Sequence, residues 1–547
     1  MMLVLITAIL IVLQLVAGLP WFDSHRGGLG GMVPQTDDAV VDLGYSTYQG
    51  TVVGGGVSQY LGMRYAAPPV GDLRWRKPHK PVVTRGVQDA TAFGDICLGL
   101  GAAATSSSQS EDCLFINVWA PSTAKPSSKL PVWFYIQGGG YNTNSNANYN
   151  GTGVVEASGN NIVFVNMNYR VSAWGFLASE KVKEDGDLNA GLLDQRLAME
   201  WVQKYIHLFG GDPHHVVIHG VSAGAGSVAL HLTAYGGRDD KLFAGAIGES
   251  VFFPTQPKVS ELEFQFDHYA TLAGCGEATD ELTCLRAQDV SVLQTANVAM
   301  AFPGATSASL FYFTPCIDGH LIRKYPYLSF ESGEFIHVPI MFGNDNDEGS
   351  AFASNATSPA DVAAFMVDYY PHLTPTDTDN INAQYPLMAA AAKHAAYFPS
   401  VAEAYGESTF NCPAITILQS YVQYFSASKA WSYRVNIQDQ NDIAAGLGVP
   451  HTMETPAIFG VGFAPGTASF ATYNAPVVPV VMHYFISFIR SLTPNTFRSS
   501  DAPFWEPYTT AQRRMKLQTN ATAMEAVPAD QLGRCAFWKG LAVTTET

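Results

Sequence analysis

Short apolar runs alternate with longer stretches of helical period along most of this chain. Val132 to Ile136 (VWFYI), Ile162 to Met167 (IVFVNM), Val216 to Ile218, Leu242 to Ile247 and Val338 to Phe342 are nearly continuous and apolar, which predicts buried strands. Trp431 to Val435 has the same strand-like character. Ala190 to Phe209 (AGLLDQRLAMEWVQKYIHLF) spaces its apolar positions at a period of 3.6, which predicts an amphipathic helix. Strand–helix alternation of this kind predicts an α/β fold with a central, mostly parallel sheet and helices on both faces. Length alone would suggest roughly three domains. No Pro-, Gly- or Ser-rich linker and no internal repeat divides the chain accordingly.

One strand candidate leads into Gly220-Val221-Ser222-Ala223-Gly224, a Gly-x-Ser-x-Gly sequence, and the small residues from Ala225 to Leu232 then open a helix. A strand that turns sharply into a helix exposes the middle Ser, and the helix N-terminus faces negative charge developing on a substrate carbonyl. Gly248-Glu249-Ser250 resembles half of this motif, but Val251 and Phe252 follow where a helix should open. In α/β sheets chemistry gathers at the carboxyl ends of the strands. Gln137-Gly138-Gly139-Gly140 follows VWFYI directly, so bare backbone at Gly139 and Gly140 can aim N–H groups at an oxyanion, with Ala223 as a third donor. Ser222 is therefore the nucleophile candidate.

Residues 1–18 are mostly apolar, carry no charge and end in Val16-Ala17-Gly18, which reads as a signal peptide preceding a secreted chain of residues 19–547. No other segment reaches the 18 apolar residues of a stable membrane anchor. Sequons at Asn150, Asn355 and Asn520 accord with secretion and glycosylation. A net charge of −17 leaves no basic patch for nucleic acid. Seven cysteines are an odd number. Cys97 and Cys113 bracket one short loop, Cys275 and Cys284 another, and Cys412 with Cys535 could form a third pair, leaving Cys316 single. The cysteine spacing suits no zinc site, since Cys-x-x-Cys is missing.

The chain resembles the type-B carboxylesterase family, which includes cholinesterases and fungal lipases. Phe209-Gly210-Gly211, Val216, Ile218 and Gly220 to Gly224 fit the family's serine signature. Glu111 to Val118 (EDCLFINV) is similar to its second signature, and Met63 to Arg76 (MRYAAPPVGDLRWR) and Gly191 to Val202 to further hallmarks. The resemblance implies a single α/β-hydrolase domain over residues 19–547 and a triad in the order Ser, acid, His. It nominates Glu348 in Asn344-Asp345-Asn346-Asp347-Glu348-Gly349, where residue types alone also admit Asp345 and Asp347. Among 14 histidines it nominates His451, in GLGVPHTMETPAIFG. It further implies that Ser250 and Glu454 support the active-site hydrogen-bond network, and that the three cysteine pairs above are bridged.

Departures narrow the substrate. Gln137 opens the Gly loop where many hydrolases have His, and Val221 stands where cholinesterases carry Glu. The Cys97–Cys113 loop is short and lacks the aromatic face a quaternary ammonium needs. Choline esters are thus not expected. Phe311 and Phe313 are candidates for an acyl pocket, with Tyr141 at its entrance and Val221 beside the nucleophile. The reading is a secreted carboxylic ester hydrolase acting on a small-molecule ester, with no metal or organic cofactor, as a monomer or weak dimer. The alternatives are a lipase for longer acylglycerols, a tailoring esterase for one specialised metabolite, and a cholinesterase-like binding protein without activity.

Overall fold

The structure is a computed structural model, and it describes residues 39–103, 108–144 and 147–547. The leader read at residues 1–18 lies outside them. The described residues form an 11-stranded sheet. In chain order its strands are β1 (Thr51–Val53), β2 (Val57–Arg64), β3 (Phe115–Pro121), β4 (Leu130–Ile136), β5 (Val163–Met167), β6 (Gly211–Val221), β7 (Gly245–Glu249), β8 (Ile340–Asp345), β9 (Ala430–Val435), β10 (Arg513–Leu517) and β11 (Ala523–Ala526). Their spatial order is β1-β2-β3-β5-β4-β6-β7-β8-β9-β10-β11. From β5 through β10 every neighbouring pair is parallel; the remaining pairs, toward the two ends, are antiparallel. This is the central, mostly parallel sheet that the strand–helix pattern predicts.

Side-chain alternation divides the core between two faces. Along β4, Val132, Phe134 and Ile136 join one cluster, together with Val202 of helix α1 (Ala190–Tyr205), Val228 of α2 (Ala223–Gly237) and Leu418 of α3 (Cys412–Tyr424). Trp133 and Tyr135 point the other way, to Phe459 of α4 (Thr455–Phe459) and Phe485 of α5 (Val477–Ser491). Both clusters consist of fully buried apolar side chains, which is why these strands read as continuous apolar runs.

Some boundaries differ from the pattern. Leu242, Phe243 and Ala244 precede β7, which begins at Gly245. Val338 and Pro339 precede β8; proline has no N–H for a ladder, although its carbonyl accepts from Ala246 N. The predicted helix ends at Tyr205 and tightens into a 3₁₀ turn over Ile206–Phe209. Three disulfides form, Cys97–Cys113, Cys275–Cys284 and Cys412–Cys535, and Cys316 is a buried free thiol. Asn355 and Asn520 are exposed and Asn150 is half-buried. Among the described residues no helix is long and apolar enough to cross a membrane.

Candidate active site

Strands β4, β6, β7, β8 and β9 end at one rim, and each delivers a piece of the site. β6 stops at Val221. Ser222 then takes φ 56° and ψ −124° at the head of α2, a backbone region that L-residues rarely occupy. Two contacts hold it there: Ser222 N–H donates to Glu249 O at 2.9 Å, and Gly226 N–H donates to Ser222 O at 2.9 Å. The flanking glycines are obligatory for a steric reason. A Cβ on Gly220 would lie 2.1 Å from Gly224 O, and one on Gly224 would lie 2.1 Å from Ile136 O. The turn therefore fits flat against the end of β4.

The Gly loop leaves β4 at that same contact. Gln137 is buried; its Nε2 donates to Asn144 Oδ1 at 2.8 Å and its carbonyl accepts from Tyr169 OH at 3.0 Å. Asn142 clamps the loop through Nδ2, which donates to Gly140 O at 2.7 Å and Phe313 O at 3.0 Å. Gly139 and Gly140 both have positive φ, 111° and 61°. Ala223 is the first residue of α2, where backbone N–H groups have no intrahelical acceptor.

Beyond β8, Glu348 is buried at 1% exposure. Its Oε1 accepts from Asp345 N–H at 2.8 Å and its Oε2 lies 2.5 Å from His451 Nδ1. Asp345 and Asp347 go elsewhere. Asp347 Oδ2 accepts from Val449 N–H at 2.8 Å, and Asp345 Oδ2 accepts from Met453 N–H at 3.1 Å. Both brace the histidine segment from its backbone, and only Glu348 among the three reaches the imidazole. His451 also rests on Phe410 and Phe352, at centroid distances of 4.5 and 5.2 Å. Its Nε2 is buried with no hydrogen-bond partner among the described residues.

Under this rim lies a group of acids. Ser250 Oγ is 3.4 Å from Asp345 Oδ2, and Tyr433 OH is 3.4 Å from Glu454 Oε1. Glu249, Asp345 and Glu454 are fully buried, and burial pushes all three carboxyls up, Glu249 to about 8, with repulsion from neighbouring carboxylates adding to the shift. Ser250 and Glu454 thus both touch this group. Glu249, Asp345 and His219 belong to the same group, and the sequence reading missed that. Glu249 carried a signal, since it forms half of the decoy motif that was set aside for lacking a helix.

Of the four side chains proposed for the pocket, the structure leaves one open. Phe311 is half-buried; its ring covers Gly140 so closely that a Cβ there would be 2.0 Å away, and it stacks edge-on against Phe252 at 4.7 Å. Tyr141 and Phe313 are buried, Tyr141 against Phe176 and Phe313 against Tyr312. Val221 points into the core with Val217 and Ile247, because alternation along β6 turns it away from the rim. These three side chains are therefore buried.

A family model described as the carboxylesterase family matches residues 37–538. The chain is 32% identical over 516 residues to a protein named secreted lipase 1 from Botryotinia fuckeliana, covering 85% of this chain and 87% of that one. It is 30% identical over 522 residues to a lipase 2 of Geotrichum candidum, covering 85% and 88%. The crystal structure of Aspergillus niger EstA matches with a TM-score of 0.92 and 54% identity, over 93% of this chain and 99% of that one.

Proposed function

Because the chain belongs to the carboxylesterase family and is a carboxylic ester hydrolase, we propose that it works through Ser222, His451 and Glu348 and an acyl-enzyme intermediate. One observation carries this reading. Among the described residues, one carboxylate reaches the His451 ring, at Nδ1 and 2.5 Å, and Nε2 has no hydrogen-bond partner, in a segment braced to the acid turn. Ser222 Oγ attacks the ester carbon and gives its proton to His451 Nε2. Glu348 fixes the tautomer with hydrogen on Nδ1 and stabilises the imidazolium. The N–H groups of Gly139, Gly140 and Ala223 hold the tetrahedral oxyanion. His451 then protonates the leaving alkoxide, and water, deprotonated by the same nitrogen, releases the acid.

The preferred substrates are soluble esters with short acyl groups. Phe252, Phe311, Phe352 and Phe410 pack edge and face between Gly140 and His451, which limits the room for a long chain. A lipase reading has its own support in the names of the relatives from Botryotinia and Geotrichum. Secretion of a glycosylated, single-domain chain of residues 19–547, after loss of residues 1–18, completes the proposal, with a monomer or weak dimer as the working form. It agrees with relatives named secreted lipases and with the exposed sequons at Asn355 and Asn520.

The test is Ser222→Ala assayed on p-nitrophenyl esters of increasing acyl length, below and above the micelle threshold. We expect Ser222→Ala to lower kcat by several orders of magnitude. We expect the parent to prefer short acyl chains without a jump in rate at the micelle threshold. Near-parental turnover by the variant would refute the nucleophile, and a sharp rise on micelles would select the lipase reading.

A further inference from the structure

Glu249 sits between the two halves of the reaction. Its backbone carbonyl accepts the N–H of Ser222 at 2.9 Å. Its side chain runs under the rim to the segment that carries His451: Oε1 is 2.9 Å from Thr455 Oγ1, and that hydroxyl is 3.0 Å from Thr452 O. Its other oxygen, Oε2, lies 3.3 Å from His219 Nε2, and neither atom makes a hydrogen bond among the described residues. His219 in turn accepts from Trp133 Nε1–H at Nδ1, 3.1 Å away.

Counting protons along this chain leaves two arrangements, which differ in where the Thr455 proton goes. Indole nitrogen can only donate, so His219 Nδ1 is the acceptor. Burial keeps His219 neutral, its pKa held down to about 3, so its one proton is on Nε2 and faces Glu249 Oε2. Thr455 has a single hydroxyl proton and two oxygens within reach. If it donates to Thr452 O, then Glu249 Oε1 must itself be the donor to Thr455, which requires a carboxylic acid. An ionised Glu249 would instead claim the Thr455 proton and leave Thr452 O with only the 3.4 Å contact from Thr455 N–H. It would also place a second bare charge near Glu348.

Thr452 makes this matter. It is β-branched yet has φ +67°, a strained conformation that persists only while its surroundings hold it. It follows His451 directly. We propose that Glu249 is a positioning residue for the hydrolytic step: in its acid form it fixes, through Thr455, the strained turn at Thr452 and hence the His451 ring. The proposal rests on the reading of His451 as the base. Besides His219 on β6, the titratable groups that face Glu249 are Glu348 on the acid turn, Asp345 at the end of β8, Glu454 at the head of α4, and the phenols of Tyr135 and Tyr433. Burial pushes its carboxyl up to about 8, opposed by the Thr455 hydroxyl and reinforced by Glu348, which favours the acid form at neutral pH.

The experiment compares kcat and KM of the full chain for a short p-nitrophenyl ester from pH 5.5 to 9.5, in parent, Glu249→Gln, Glu249→Ala and Ser222→Ala. The parent should lose kcat on the alkaline side with a midpoint near 8. Glu249→Ala should lower kcat at pH 7 by about one to two orders of magnitude with little change in KM. Glutamine can donate to Thr455 and accept from His219 but cannot ionise. Glu249→Gln should therefore restore most of the kcat lost in the Ala variant and remove the alkaline fall. The same alkaline fall in Glu249→Gln as in the parent overturns the inference, as does an Ala variant with parental kcat. If the Ala variant does not fold, the Gln profile alone decides. Ser222→Ala separates the two levels: turnover that survives it refutes the triad, whereas a dead Ser222→Ala beside an unchanged Glu249→Gln profile refutes only the role of Glu249.

Discussion

One methyl group at position 224 should disable this enzyme more than it unfolds it. In Gly224→Ala the new Cβ would be placed 2.1 Å from Ile136 O and 2.8 Å from Gln137 O. Both are backbone atoms at the end of β4, so no side chain can swing aside. Ordinary contact needs about 3.4 Å or more, so the turn and the strand end must separate by roughly 1 Å. Overpacking of this kind costs about 1–3 kcal/mol of stability. The separation also falls between Ser222 and the Gly139–Gly140 loop, and a displacement of about 1 Å there can cost 100-fold in rate. The assay pairs kcat/KM on a short ester with thermal unfolding. Gly533→Ala is the control, since Gly533 is an exposed helix residue whose added Cβ meets nothing within 4 Å. It should leave activity unchanged and raise stability by up to about 1 kcal/mol. A Gly224→Ala variant within twofold of the parent in kcat/KM would refute the steric account of the turn.

Two further outcomes are expected. Glu348→Gln should keep a partner at His451 Nδ1 but lose the charge that stabilises the imidazolium, lowering kcat by about 10,000-fold; a loss under tenfold would move the acid role elsewhere. The pH dependence of stability has a sign fixed by the buried groups. His219 and His231 have depressed pKa values, so the stability they contribute is complete above their unfolded value of 6.5 and is lost as pH falls. The raised carboxyls of Glu249, Asp345 and Glu454 contribute stability that is complete below their unfolded values, 4.5 and 3.8, and is lost as pH rises, for Glu249 through about 8. Above pH 6.5 the loss from the three carboxyls outweighs the remaining gain from the two histidines, so the thermal midpoint should drop between pH 6.5 and 8.5, and calorimetry showing a rise across that window would contradict the assignment.

The features legible in the sequence were those with local causes. Gly220 and Gly224 announce a turn because no larger residue fits, and VWFYI announces a central strand because both of its faces are covered. The cysteine pairs were legible because two of them close short loops. Glu249, Asp345 and His219 were not legible as members of the group under the rim, because they come from β7, β8 and β6, and their meeting is a property of strand order. Glu249 was read as part of a failed nucleophile motif, and Asp345 as a rival to Glu348, when its carboxylate accepts from the backbone of Met453. Tyr141, Val221 and Phe313 look alike in sequence whether they line a cavity or support it. Their burial follows from the face chosen by β6 and the clamp from Asn142, and neither is visible before folding.

The sheet described above ends in very little. β1 has three residues and runs directly into Gly54–Gly56, while β11 has four, and its Glu525 is gripped by Arg434 and Arg514. An open sheet this wide has only two margins where a stranger's backbone could add itself, and short, charged or glycine-bounded margins give such an addition almost no ladder to follow. The molecule should accordingly tolerate crowding at high concentration without seeding fibres, and lengthening either margin with an apolar insertion would be the quickest way to make it aggregate.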